Sequence, residues 1–550
     1  MNPGSAEYII KGGTFFRGKG LPNDIEFMAV KSGRILGMGK EKEMGRYTGS
    51  ETEVETVSTD CLVMPGFYDS HNHAVMAGMY HTCVDLGDCG NEEETCEKVK
   101  KYAETVPGEP WVYGFNWYHV FWEDKVLPTT KIIDRYVRDR PVFLISAEGH
   151  TVWLNSRALE LCGITRDTEA PPYGKIYRFD DGTPSGCLDD KAIVIAADHA
   201  CRFPESVETK FIREHVKKSN YYGITSINDF LPFYGFDMGN HDTFKKLQER
   251  GELSLRVHCA PDLFSDIDEV LSRRAKYNSG RFRICMLKAF VDGVWTMHTA
   301  LMLEPYADKS NIKADSLDDS RGRPACDLDL LKNKIEEAHR KGISVRLHCC
   351  GDGASHYALD CIEAAVKKYG QTGARHAIEH FETTTLEDIA RCASLGVIAS
   401  VQPSHIAMME VFDENTYLGA FNERQKKMSW AFRSFMEAGV AVAFGSDCPI
   451  VSNDPFLGLY RAVTRLHNDG RPEGGWNPEQ KISMEDALDA YTLEGAFGVG
   501  REDELGTLET GKLADFIVLD RNLLTIDAEE IRGTKVLKTF VEGKCVYARA

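Results

Sequence analysis

The sequence predicts an α/β protein: a (β/α)8 TIM-like barrel with a small β-sandwich domain formed by both chain termini and an insertion after the first barrel strand. Three observations predict it. Eight buried-strand candidates recur through the middle of the chain, mostly separated by helix-length segments, as repeated βα units require. Short alternating runs broken by glycine occupy both ends, as small antiparallel strands do. One gap, from His73 to Gly223, is far too long for a simple crossover.

The elements follow in order. Runs at 8–10, 25–30 and 34–38 read as N-terminal strands, and runs at 515–519 and 536–544 read as C-terminal ones. Neither piece alone makes a convincing domain. Together, 1–62 plus 495–550 are expected to form one composite β-sandwich, with the barrel domain spanning 63–494. The run 63–73 is apolar and then abruptly polar, as a buried strand emerging into a site would be. An inserted subdomain at about 74–205 fills the long gap. Later strand candidates lie at 223–228, 255–259, 284–290, 343–348, 376–380, 397–402 and 440–445. Residues 328–341 carry apolar positions near helical spacing and stop at Gly342.

Bulk properties narrow the function. The 550 residues are 43% hydrophobic and 27% charged, an ordinary globular composition with length for a large core. A net charge of −19 disfavours phosphate backbones, so nucleic acid is not an expected partner. No apolar run is long enough to span a bilayer, and Met1-Asn2-Pro3-Gly4-Ser5 shows no basic or apolar leader. Sixteen scattered cysteines without a C-x-x-C pair read as reduced thiols, and the cytoplasm is the expected compartment.

The chemistry sits at strand ends. His71 and His73 alternate along the first strand and project the same way, as two imidazoles on one metal ion must. By itself such a pair has an ordinary explanation as two chance neighbours. Other strands add Lys288, His348, His380 and Asp447. Each has a bland reading, a core histidine, a salt-bridged lysine or a helix-capping aspartate. In a barrel, however, catalytic side chains gather at the C-terminal strand ends. Four histidines, a lysine and an aspartate on five such ends suit zinc or another borderline divalent ion.

These residues carry a resemblance. The chain resembles the amidohydrolase superfamily of metal-dependent hydrolases, and within it the YtcJ-like and N-substituted formamide deformylase branch. The resemblance runs through Met64-Pro65-Gly66-Phe67 before His71-Asn72-His73, Gly149-His150, and Asn155-Ser156-Arg157-Ala158-Leu159. It continues through Lys288-Ala289-Phe290-Val291-Asp292-Gly293, His348 with Gly351-Asp352, Ile378-Glu379-His380 and Val401-Gln402-Pro403. It ends with Gly445-Ser446-Asp447-Cys448-Pro449 and Gly511-Lys512-Leu513-Ala514-Asp515. It implies a metal centre of one or two ions, with zinc the leading candidate. His71 and His73 would hold one ion and His348 and His380 a second. Lys288, carboxylated on its amine, would bridge them, and Asp447 would ligate the first and act as general acid/base.

Softer expectations concern substrate contact by His150, Asn155, Asp292, Trp295, Gln402 and Trp117. For Asn155 and Asp292 a buttress or helix-cap role stands level with direct contact. Asp352 is a candidate to orient a ligand. Trp111, Tyr113, Phe115 and Trp117 have period-two spacing and would share one strand face, as a core or as a wall for an apolar or aromatic small-molecule substrate. The leading activity is hydrolysis of a C–N bond in an amide, N-formyl or cyclic amide. Alternatives are ester or lactone hydrolysis, ring deamination on the same metal site, or a non-catalytic oligomeric scaffold. A homodimer is one candidate assembly that no residue pattern specifies.

Overall fold

Backbone hydrogen bonds change partners between Gly66 and Phe67, and this exchange divides the first long apolar run between two sheets. Gly66 N donates to Asp515 O, whereas Phe67 N donates to Gly223 O. The computed structural model describes residues 4–108, 110–233, 236–308, 320–407 and 419–549. Met1–Pro3, on which part of the leader reading rests, lie outside the described residues.

Leu62–Pro65 therefore runs antiparallel to Phe516–Leu519, and only Phe67–Asn72 enters the barrel. This corrects the expectation of one strand over 63–73. The barrel strands, numbered from this point, are β1 (Phe67–Asn72), β2 (Ile224–Phe230), β3 (Arg256–Ala260), β4 (Met286–Phe290), β5 (Ser344–Cys349), β6 (Ala377–His380), β7 (Ile398–Val401) and β8 (Val442–Phe444). Neighbours pair in parallel from β1 to β3 and from β4 to β8. The predicted strand at 284–290 is interrupted at Cys285: Phe282–Ile284 pairs with β3, and β4 pairs with β5. A parallel bridge between Asp262 and Lys288 spans the break. A second, between Asn72 and Cys448, closes β8 onto β1. Leucine, isoleucine and valine from these strands fill a continuous interior that includes Ile227, Val257, Leu287, Val345, Leu347, Ile378 and Val401.

Outside the barrel, Leu328–Arg340 forms the expected helix, its start capped by Asp327 accepting from Leu330 N. Helix Ala74–Thr82 packs on helix Glu205–Tyr221 beside the barrel. The intervening chain folds into a six-stranded sheet that includes Val112–Trp117, Val142–Ser146 and Thr151–Leu154.

The termini supply two more sheets. Tyr8–Lys11, Phe27–Lys31, Arg34–Gly39 and Glu53–Thr56 make one; Thr14–Phe15, Leu62–Pro65, Phe516–Leu519, Val536–Val541 and Lys544–Ala548 make the other. Ile10, Met28, Val63, Phe516 and Phe540 share one apolar cluster. The expected run at 536–544 is two strands, turned by left-handed backbone at Glu542 and Gly543. The terminal sheet meets the barrel through Arg256, whose Nη2 donates to Asp515 Oδ1 at 3.2 Å and to Glu542 Oε1 at 2.9 Å. Arg281 Nη2 donates to the second Glu542 oxygen at 2.7 Å. Among the described residues, no helix is long and apolar enough to cross a membrane.

Candidate metal centre

The C-terminal ends of five barrel strands converge on Asp447. Its Oδ1 lies 3.3 Å from His71 Nε2 and 3.2 Å from His73 Nε2. Its Oδ2 lies 3.8 Å from His380 Nδ1. Lys288 Nζ stands 3.5 Å from His71 Nε2, and the His348 and His380 rings are 4.3 Å apart. All six candidate ligands are thus neighbours, and every one but His73 is buried.

Local backbone makes this approach possible. A Cβ on Gly445 would sit 2.4 Å from His71 N, so glycine is needed for β8 to lie against β1. His380 and Asp447 both adopt left-handed backbone, with φ of 72° and 63°. That conformation is uncommon for residues with a Cβ and recurs where side-chain aim matters more than backbone comfort.

Each candidate imidazole has an oxygen acceptor at one ring nitrogen. His71 Nδ1 is 2.7 Å from Glu379 Oε2, His73 Nδ1 2.8 Å from Phe230 O, and His380 Nδ1 2.9 Å from Gln402 Oε1. His348 uses its other nitrogen, Nε2, which faces Gly293 O at 3.2 Å. Each partner is an acceptor, so each ring directs an N–H there. Burial, reinforced by the Lys288 charge, holds His71, His348 and His380 well below the usual imidazole range. Burial likewise lowers Lys288, whose Nζ lies 4.4 Å from the Phe230 ring centroid. Ligand atoms of His71, His380 and Asp447 all lie within 4.8 Å of one another. Neutral nitrogens around a carboxylate form a donor set that fits a divalent cation.

The flanking candidates separate. His150 is at the centre, its ring 5.6 Å from that of His348 and its Nδ1 3.0 Å from Asp190 Oδ1. Gln402 holds His380. Trp295 Nε1 donates to Glu382 Oε2 at 2.6 Å. Asp292 accepts from the backbone N–H groups of Leu301, Cys350 and Gly351, which is a buttress under the loop after His348. Asn155 accepts from Val142 N and Ala158 N and donates to Val137 O and Arg140 O, the bonds of a cap and not of a substrate contact. Asp352 bonds Leu303 N and Arg424 and makes no bond to His348. The carbonyl of Gly293 takes the orienting role expected of it. Trp117 does not share a face with Trp111, Tyr113 and Phe115. Left-handed backbone at Asn116 and a register shift against Val142–Ser146 turn it into the insertion's second apolar cluster, where Nε1 donates to Leu144 O.

Four participants escaped the strand-end reading. Glu379 holds His71, Phe230 supplies both a ring and a carbonyl, and His405 faces Asp447 Oδ2 with Nε2 at 3.5 Å. Glu382 backs His405, accepting at 3.0 Å from Nδ1. Burial opposes charge on His405, but the Glu382 hydrogen bond and the Glu382 and Asp447 charges outweigh it and raise its pKa. A charged residue inside an apolar strand was the available signal for Glu379. His405, three residues after Gln402, lay just past a strand end.

Comparison with known proteins gives the family and the fold. The amidohydrolase family model matches residues 59–547. Protein LONG AFTER FAR-RED 3 of Arabidopsis thaliana is 28% identical, covering 98% of this chain and 92% of its own. The putative amidohydrolase YtcJ of Bacillus subtilis is 27% identical over 96% of each chain. The N-substituted formamide deformylase of Arthrobacter pascens is 28% identical over 94% of each. Among solved structures, an uncharacterized metal-dependent hydrolase from Pyrococcus horikoshii superposes with a TM-score of 0.75 at 23% identity, covering 95% of this chain and 99% of its own. The zinc complex of atrazine chlorohydrolase TrzN from Arthrobacter aurescens shares the fold at a TM-score of 0.54 and 15% identity, over 98% of this chain and 95% of its own. The chain, a metal-dependent hydrolase whose candidate ligand histidines sit at the ends of barrel strands, belongs to the amidohydrolase family.

Proposed function

We propose that the protein hydrolyses a C–N bond of a small organic substrate, an amide, an N-formyl group or a cyclic amide, with Asp447 as the proton carrier. The observation that carries this reading is the position of Asp447. One carboxylate oxygen faces His71 and His73, and the other faces His380 and His405. A proton taken from water at this carboxylate has a short path to a leaving nitrogen. His405, backed by Glu382, is placed to stabilise the carboxylate between transfers.

His71, His73, His348, His380, Asp447 and Lys288 would hold one or two divalent ions, with zinc first among the candidates because of the imidazole-rich donor set and the zinc-bound neighbour. Such an ion would supply positive charge that favours ionisation of water and polarises a carbonyl. Burial favours the neutral amine of Lys288. A neutral amine adds CO2 to give an N-carboxylate and a proton, which would turn this lysine into an anionic ligand. The name of the Arthrobacter pascens relative puts N-formyl compounds first in a search. The shared apolar cluster supports a small β-sandwich domain built from 1–62 and 495–550.

The test is a screen of N-formyl, N-acyl, lactam and ester compounds against metal-reconstituted protein. Turnover of an amide-type compound, abolished by chelation and restored by zinc, is expected. Undiminished turnover in metal-free protein, or turnover of esters alone, would overturn the reading. Lys288→Ala should regain part of its activity with added formate or acetate if the lysine is carboxylated.

A further inference from the structure

Two helices outside the barrel gather a second set of metal-binding side chains. Helix Ala74–Thr82 follows β1, and helix Glu205–Tyr221 leads into β2. They cross so closely that a Cβ on Gly78 would lie 2.0 Å from Phe211 O. One turn further along each helix, His81 and His215 meet. Their rings stack with centroids 5.9 Å apart and planes 12° from parallel. The third member is Cys448. Ligand atoms of His81, His215 and Cys448 all lie within 4.8 Å of one another. Cys448 is held by its backbone: its N–H donates to Ser446 Oγ at 3.0 Å, and its carbonyl accepts from His73 N at 3.0 Å.

Among the described residues, both imidazoles of this cluster keep a buried nitrogen without a hydrogen-bond partner. His215 is 0% exposed, and its Nδ1 is buried without a hydrogen-bond partner. The same holds for Nε2 of His81. His215 Nε2 reaches only Ser219 Oγ, at 3.5 Å. Burial also holds the His81 and His215 imidazoles down to about 4 and about 3, so both are neutral lone-pair donors near pH 7. The like charge nearby, Lys218, sits over the Tyr221 and Tyr222 rings at 5.4 and 5.0 Å.

We propose that His81, His215 and Cys448 form a second metal site, distinct from the barrel centre, for a thiophilic cation of the zinc class. Binding forms one metal–sulfur and two metal–nitrogen bonds, sends the Cys448 thiol proton to solvent, and leaves the fourth position to water. Bonds of about 2.0–2.3 Å bring three ligand atoms well inside the 4.8 Å within which these lie. His81 is half-buried in the last turn of its helix. Because Cys448 follows Asp447 directly, an ion here ties the helix pair to the rim of the barrel centre.

Titration of the full-length protein with Co2+ tests the site. The barrel centre offers nitrogen and oxygen ligands, so a thiolate-to-cobalt charge-transfer band reports the second site. The band is expected in the wild type and unchanged in Cys350→Ser, which removes the thiol 3.5 Å from His348 Nε2. It should be lost, with one equivalent of bound Co2+, in Cys448→Ser and His215→Asn. His81→Asn, at the most exposed of the three positions, gives the same readout should the buried variants fail to fold. No band in folded wild-type protein at saturating Co2+, or a band that survives Cys448→Ser, would overturn the site.

Discussion

Two buried charge clusters lie on this barrel, and they are built on opposite logic. At the junction with the terminal sheet, Arg256 meets Asp515 and Glu542, and Arg281 meets the second Glu542 oxygen. Cations and anions alternate, and the Asp515 and Glu542 groups are further tied by Glu542 N donating to Asp515 Oδ1 at 2.7 Å. At the C-terminal strand ends, neutral imidazoles surround a carboxylate beside a lysine whose charge burial disfavours. The first cluster closes on itself. The second spends its hydrogen bonds on fixing its imidazoles, an arrangement that the proposed cation would complete. Burial of charge alone does not mark a functional site; burial with the lone pairs left over does.

The contrast is broken most strongly at Asp447. Asp447→Asn should keep its metal and lose about a hundredfold to ten-thousandfold in kcat, read from turnover alongside metal content. Equal turnover in the variant would exclude Asp447 as the proton carrier. Next in size, Arg256→Met at the junction leaves the buried Asp515 carboxylate without its cation. It should destabilise the fold by about 3–5 kcal/mol in chemical denaturation while leaving turnover per folded molecule unchanged. A smaller effect belongs to Glu379→Gln, which weakens the hold on His71 Nδ1. A loss of about tenfold to a hundredfold in metal affinity is expected by competition with a chromophoric chelator.

The smallest effect separates the clusters by pH. Burial pushes Glu542 up, but Arg256 and Arg281 outweigh it and bring its pKa from an ordinary 4.5 down to about 2. A depressed carboxyl contributes its stability above its unfolded pKa and loses it as pH falls through the folded one. Denaturation midpoints should therefore decline from about pH 4.5 toward pH 2, and Glu542→Gln should flatten that decline. An unaltered slope in the variant would show that Glu542 is not the titrating group.

Five of the six candidate ligands were legible because each sits where an apolar run ends, and Lys288 because it interrupts one; strand alternation alone relates His71 to His73. Glu379 was not, because adjacent strand residues ordinarily point to opposite faces. Left-handed backbone at His380 redirects its neighbour, and nothing local announces that conformation. Trp117 misled for the same reason: the bulge at Asn116 breaks the period-two pattern that its ring spacing suggests. Gly66 lies between two strands, where the backbone changes partner from Asp515 O to Gly223 O. Asn155 was half-legible, since an asparagine before a helix is a natural cap, and the structure spends its whole amide on that role.

By itself the sequence determined the barrel and the residue types at its mouth, because burial periodicity and strand-end polarity are local properties of the chain. Only the tertiary structure decided which acceptor holds each imidazole, that His405 faces Asp447, and that His81, His215 and Cys448 meet. Those contacts join residues from 22 to more than 300 positions apart, and their geometry depends on closing the barrel and crossing two helices at a glycine.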